Sequence, residues 1–216
     1  MSYDTALQAA QAAGLDIYGG FHPNSDDGCP DNTQTLLMLG PREPDFWTFF
    51  QTQPEYQDAQ PDPIDRWSTR VIGALAQDLG ATALFPFGGP PFQPFVGWAK
   101  RTGRAWASPV GILVHDQAGL FVSYRGALAF ADKLELPALP AKPCDSCTDK
   151  PCLTACPVGA MGDHAYDVPA CKDYLRQPDQ TCLSHGCQVR RICPLSQTYG
   201  RDPRQSGYHM KAFVVE

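Results

Sequence analysis

Eight of the nine cysteines in this 216-residue chain fall in its last third. They are Cys144, Cys147, Cys152 and Cys156, then Cys171, Cys182, Cys187 and Cys193. Pro157 follows the fourth and Pro194 follows the eighth. A segment so rich in thiols and loop residues cannot bury much apolar surface, so cross-links or bound metal must organise it. Disulfide frameworks belong to small secreted domains with a leader. The start, Met1 to Ala13, has no basic region followed by an apolar core. No apolar run approaches a membrane span. The expectation is a cytoplasmic protein with no membrane association, its thiols kept reduced and free to hold metal.

The spacing narrows the choice of metal. The first group reads C-x2-C-x4-C-x3-C-P and the second C-x10-C-x4-C-x5-C-P. Bacterial two-cluster ferredoxins use C-x2-C-x2-C-x3-C-P, and the fourth cysteine of each run serves the other cluster. The first group matches that run with two extra residues between its second and third ligands. Crossing the ligands in the same way gives two [4Fe–4S] clusters. Cluster A takes Cys144, Cys147, Cys152 and Cys193. Cluster B takes Cys156, Cys171, Cys182 and Cys187. Three close ligands wrap one cube, and the chain after them carries the fourth away. Proline at that exit fixes the backbone and removes an N–H donor. The rival is structural zinc in two four-thiolate sites. Zinc ribbons favour two separated C-x2-C knuckles, and only Cys144 with Cys147 makes one.

Charge is uneven along the chain. Residues 1–140 carry 8 Lys and Arg against 15 Asp and Glu, whereas residues 141–216 carry 9 against 8. The acidic body argues against nucleic acid as a partner, which would select a basic face. The basic residues of the cysteine segment have thiolate charge to offset. Arg190 and Arg191, between Cys187 and Cys193, are candidates for that task or for plain solvation. His185, between Cys182 and Cys187, is a candidate donor to a cluster sulfur.

Ahead of the cysteines the chain mixes helix and strand signals without a regular βαβ repeat. Residues 4–13 read as a helix ended by Gly14, with strands at Leu15 to Tyr18 and Thr35 to Leu39. A short helix is expected from Pro44 to Phe50. The clearest helix runs from Pro63 to Leu79, with Asp62 as N-cap and Gly80 as stop. Ile64, Trp67, Val71, Ile72, Leu75 and Leu79 recur at helical spacing and mark its core face. A strand is expected at Ala83 to Phe87 and a helix at Gln93 to Thr102. A hairpin is expected from Gly111–His115 and Leu120–Tyr124. Pro137, Pro140 and Pro143 punctuate a linker. The fold expected is α+β, with a sheet-and-helix domain over 1–140 and a small ferredoxin-like domain over 141–216. Short helices are expected after Pro157 and near Ala170 to Leu175.

A second unusual stretch runs from Phe85 to Trp98. Phe85, Phe87, Phe92, Phe95 and Trp98 supply apolar surface, Gly88 and Gly89 permit close approach, and four prolines stiffen the path. Such a loop can brace a core, wall a flat cofactor or dock a partner. Arg125, after Tyr124, is a candidate cofactor-binding donor toward a pocket between the domains, or a surface arginine. His22 and His115 read as structural or surface residues, with ligation or proton donation as alternatives. Cys29, between Gly28 and Pro30, reads as a buried or idle thiol, with an extra-ligand or catalytic role as the alternative. No Gly-x-Gly-x-x-Gly follows a strand and no Walker A run occurs, so NAD binding finds no support, and flavin is open by analogy only.

Cys144-Asp-Ser-Cys147, Cys152-Leu-Thr-Ala-Cys156-Pro-Val-Gly-Ala160 and Ala170-Cys171-Lys-Asp-Tyr-Leu175 together resemble the cluster-binding part of epoxyqueuosine reductases and reductive dehalogenases. Gly97 to Gly103 and the segment Pro109 to Gly126 resemble what precedes it there. The resemblance is densest over 144–175 and extends to about 95–195. It implies a cobalamin-binding domain fed by two [4Fe–4S] clusters. The segment whose acid serves epoxyqueuosine reduction has no counterpart here, and the C-terminal helical-repeat extension is missing. Two functions are therefore expected. One is an iron–sulfur reductase, supplied by a redox partner protein, that acts on a small molecule or on a corrinoid by cobalt reduction or upper-ligand removal. The other is a dicluster ferredoxin-type carrier without its own catalysis. A zinc-stabilised interaction module is the third reading.

Overall fold

The structure is a computed structural model and describes residues 1–215. The chain forms two compact units. Unit 1 comprises Met1–Arg104 and Ser123–Pro140, and unit 2 comprises Ala105–Val122 and Ala141–Glu216. The architecture is α+β. A break near residue 140 is present, but 105–122, expected in the first domain, clusters with the cysteine segment.

Unit 1 begins with α1 (Tyr3–Ala12), whose N-cap Ser2 accepts from the Thr5 amide. Then come β1 (Leu15–Phe21), β2 (Thr35–Pro41), α2 (Phe46–Gln51), α3 (Pro54–Gln57), α4 (Pro63–Leu79), β3 (Thr82–Leu84) and α5 (Phe95–Arg101). The chain next gives β4 (Ala105–Ala107) and β5 (Leu113–His115) to unit 2, and returns as β6 (Gly126–Phe130). The sheet order is β1-β2-β6-β3, antiparallel throughout.

Every residue of β2 and β6 is buried. The run Leu36-Leu37-Met38-Leu39 is what a strand covered on both faces needs. β6, Gly-Ala-Leu-Ala-Phe, has no such signature and was not anticipated, yet it is central, pairing Leu128 with Leu37 on one side and Ala83 on the other. A bulge interrupts β1 between Ile17 and Gly20. Gly19 there has φ +124°, and a Cβ would stand 2.7 Å from Thr102 Cβ. Only glycine satisfies both demands.

Helix α4 matches its expected limits and buries Ile64, Trp67, Ile72, Leu75 and Ala76. Gly80 closes it at φ 66°. Asp62 does not cap it: its side chain makes no cap bond and its backbone is left-handed at φ 51°. Pro63 at the first turn is the start signal that operates. Trp67 is fully buried, with edge contacts to Phe46 at 5.2 Å and Phe50 at 5.9 Å. It is a core residue. Beside this cluster, Arg70 Nη2 donates to Glu55 Oε2 at 2.9 Å. That bond holds the Glu55 carboxyl below its ordinary pKa. β3 ends at Leu84, short of the expected Phe87, and α5 is trimmed at both ends of the expected helix.

In unit 2, β4 and β5 form an antiparallel ribbon with Ala105 opposite His115. The expected pairing of 111–115 with 120–124 is not made. Only a bridge from His115 to Gly119 closes that turn. Gly119 (φ +55°) lies where a Cβ would stand 2.6 Å from the Ser196 amide nitrogen. The Leu120 amide donates to Ser196 Oγ at 2.9 Å, and the Leu120 carbonyl accepts from Arg190 Nη1 at 2.6 Å. Residues 190–196 thus take the backbone groups that a strand partner would have used.

The rest of unit 2 is short helices: α6 (Pro143–Ser146), a 3₁₀ turn (Pro151–Leu153), α7 (Val168–Leu175), α8 (Thr181–His185), α9 (Gln188–Ile192), α10 (Pro194–Thr198) and α11 (Pro203–Val215). The helix expected after Pro157 is absent. A loop tied by His164 Nε2 to the Gly159 carbonyl, and by the Asp167 amide to the Ala160 carbonyl, occupies 157–167. Among the described residues no helix is long and apolar enough to cross a membrane.

Candidate metal centre

Short elements, each one or two turns long, carry or flank seven of the eight thiols, and Cys156 lies in the loop after the 3₁₀ turn. Cys144 lies on α6 and Cys147 just past its end, and Cys152 sits in the 3₁₀ turn. Cys171 and Cys182 lie on α7 and α8. Cys187 and Cys193 are the N-caps of α9 and α10. Pro194 opens α10 in the position where a missing N–H does no harm.

Cys144, Cys147, Cys152 and Cys193 line one cavity of about 430 Å³. Val114, Leu120, Pro109 and Leu195 contribute its apolar wall. Burial raises the Cys144 and Cys152 thiols above their ordinary pKa, and neighbouring thiolates add to the rise. For Cys144 those neighbours are Cys152, Cys193 and Cys147; for Cys152 they are Cys193 and Cys147. The amides of Cys152 and Leu153 donate to the Cys152 sulfur and oppose the rise. At the wall, the buried Ser108 Oγ has no hydrogen-bond partner. A hydroxyl placed so is a donor for an anionic occupant.

The other four thiols form a second set. Burial raises Cys171 most, and the charges of Cys187, Cys156 and Cys182 act in the same direction. Cys182 rises by burial, with Cys187 and Cys156 as its thiolate neighbours. Cys193, from the second sequence run, therefore stands with the first group. Cys156, from the first run, stands with the second.

Among the described residues no three His, Cys, Asp or Glu side chains converge closely enough to hold a single metal ion. Zinc binds thiolate at about 2.3 Å, so its ligands would have to be drawn to the centre of the first cavity. The space and the four-thiol grouping fit a polynuclear group, whose outer ligands stand further apart.

Nearby polar groups favour the second set. Tyr166 donates its hydroxyl hydrogen to the Cys171 sulfur, and the Gln188 amide donates to Cys182. The Arg191 charge lowers Cys182, and Arg191 Nε is held by the Gly186 carbonyl at 3.0 Å. Tyr166 carries no ligand-type signal in the sequence beyond its position five residues before Cys171. His185 is exposed, with Nδ1 2.7 Å from Ser184 Oγ, a bond that occupies one of its two nitrogens.

The aromatic stretch is divided. Phe95 and Trp98 lie in the core of unit 1, and Trp98 Nε1 donates to the Asp27 carbonyl at 2.7 Å. Phe85 and Phe87 stack on each other at 5.3 Å. Gly88 is exposed, Gly89 is half-buried against the Phe92 ring, and Phe92 itself is 67% exposed. Arg125 Nε donates to the Tyr124 carbonyl, and Nη1 lies 3.4 Å from Asp65. Of these eight residues, Phe95 and Trp98 are buried and Phe92 is exposed.

The remaining candidates are structural. His22 Nε2 meets the Leu134 carbonyl at 2.9 Å. His115 is fully buried; its Nδ1 accepts from the Gln117 and Ala118 amides, and Nε2 faces Asp116 at 3.2 Å. The Cys29 thiol is pushed up to about 11, first by burial and then by Asp27. It is a poor nucleophile and a poor ligand at neutral pH.

No family model, no curated protein and no solved structure matches the chain.

Proposed function

We propose that this chain is an iron–sulfur electron-transfer protein. Its C-terminal segment would hold two [4Fe–4S] clusters in a ferredoxin-like ligand arrangement, one on Cys144, Cys147, Cys152 and Cys193 and one on Cys156, Cys171, Cys182 and Cys187. The observation that carries this is the crossed grouping, with Cys193 lining the cavity of the first three thiols. When bound, such clusters supply one-electron transfer. The chain's own part is to supply thiolates, exclude water with Val114, Leu120 and Leu195, and place donors at the sulfurs.

Cobalamin, implied by the resemblance to epoxyqueuosine reductases and reductive dehalogenases, fits less well. A corrin needs an open apolar face, and the aromatic residues named for it are buried, self-stacked or exposed singly. Electron delivery to a separate acceptor is therefore the better reading, and a bound corrinoid rests on the resemblance alone.

Anaerobic purification followed by metal analysis and absorption spectroscopy tests both. About eight irons per chain are expected, with broad visible absorption that dithionite bleaches. Zinc in place of iron would overturn the proposal. A spectral change on adding hydroxocobalamin would restore the corrinoid reading.

A further inference from the structure

The two thiol sets are unequally surrounded, and the inequality has a consequence for electrons. Reduction adds negative charge to a thiolate-ligated group. Positive charge and hydrogen bonds at the sulfurs favour the reduced form and raise the potential.

Around the first set the charges offset. Lys142 is the cation beside Cys144, and its Nζ lies 3.9 Å from Asp145. Asp149 and Lys150 both line the cavity. Two backbone amides reach Cys152, and the Ser108 hydroxyl stands at the cavity wall.

Around the second set the donors are stronger. Tyr166 reaches Cys171 from a fixed position: its ring stacks on Phe213 at 6.4 Å and 17° and packs against the core of unit 2. Arg191 stands by Cys182, and Arg190 stands by Cys187 with Nη1 on the Leu120 carbonyl. Burial weakens the Arg190 guanidinium's hold on its proton, and the Cys187 charge works against that. Arg190 is half-buried by its surface exposure, and Arg201 is a second cation beside it.

We propose that Tyr166, Arg190 and Arg191 make the Cys156, Cys171, Cys182 and Cys187 set the electron-holding member of the pair, with the higher reduction potential. This rests on the two-cluster reading. An external low-potential one-electron donor is oxidised, the protein gains that electron, and no covalent bond or proton need change.

The test is a potentiometric titration followed by electron paramagnetic resonance, using dithionite as reductant. Cys193→Ser, which keeps all four ligands of the second set, identifies that set's signal. Wild-type protein should show two one-electron transitions, the second set accepting first. Tyr166→Phe keeps the stacking on Phe213 and should move the electron partition about tenfold toward the first set, equivalent to about 59 mV. Arg190→Gln, which can still donate to Leu120, should shift it in the same direction. Tyr174→Phe, near Cys182 and Cys156 but not bonded to either sulfur, should leave it unchanged. Protein without iron overturns the two-cluster reading. Two clusters of equal potential, or a gap that survives both Tyr166→Phe and Arg190→Gln, overturn this proposal and leave that reading standing.

Discussion

Unit 1 and unit 2 are held together by different physics. The interior of unit 1 is Leu36 to Leu39 on the sheet and Trp67, Phe46 and Phe50 beside it, all close to fully buried. The interior of unit 2 is Val110, Val114, Leu120, Met161 and Val189, with Cys152 among them and Cys144, Cys156, Cys187 and Cys193 packed at the margin. One unit gains stability by removing large apolar side chains from water. The other surrounds thiols with short helices too small to stand alone. On the proposed reading, the cysteine segment depends on what its thiols bind.

The sharpest way to break this comparison is to remove metal. Chelation of the purified protein should unfold the helices of 141–215 and leave the unit 1 sheet intact, because ligand binding and folding are coupled only where the ligands are. Hydrogen exchange resolved by residue would show protection lost across α7 to α10 and kept in β2 and β6. Equal loss in both units would contradict it. Next in size is Trp67→Ala, which should cost unit 1 about 3–5 kcal/mol and leave iron per folded chain unchanged. Denaturant melts with metal analysis read both quantities.

The smallest effect concerns Glu55 and Arg70. The Glu55 side chain is 10% exposed but that of Arg70 is 49% exposed, so Arg70→Ala should lose on the order of 1 kcal/mol. The pH dependence has a definite sign. The folded carboxyl titrates below its unfolded value, so its contribution is complete above the unfolded pKa and is lost as pH falls through the folded one. Wild type and Arg70→Ala should therefore differ near neutrality and converge in acid. A difference that persists at low pH would assign the loss to packing of the Arg70 stem.

Legibility followed the same division. Helix α4 was readable to its ends because Pro63, Gly80 and an apolar face agree. β2 was readable as an unbroken apolar run. β6 was not, since Gly126, Ala127 and Ala129 have weak strand preference and become central only through packing on both faces. The 120–124 run looked like a strand, but its backbone partners, Arg190 and Ser196, lie some seventy residues on. Helix α11 escaped because it buries Gln205, Ser206 and Gly207, so apolar periodicity does not mark its inner face. At the site, the eight thiols were legible as ligand candidates from their spacing, and their division into two crossed sets follows the ferredoxin pattern that the proposal adopts. Tyr166 could not, because its role depends on a contact.

The central claim is the crossing of ligands between the two sequence runs. Iron content and electron paramagnetic resonance of the anaerobic Cys193→Ser protein, beside Cys156→Ser, test it most directly. The account predicts about four irons in each, with Cys193→Ser losing the signal of the Cys144 set and Cys156→Ser losing that of the Cys171 set. The opposite pairing of losses would contradict it.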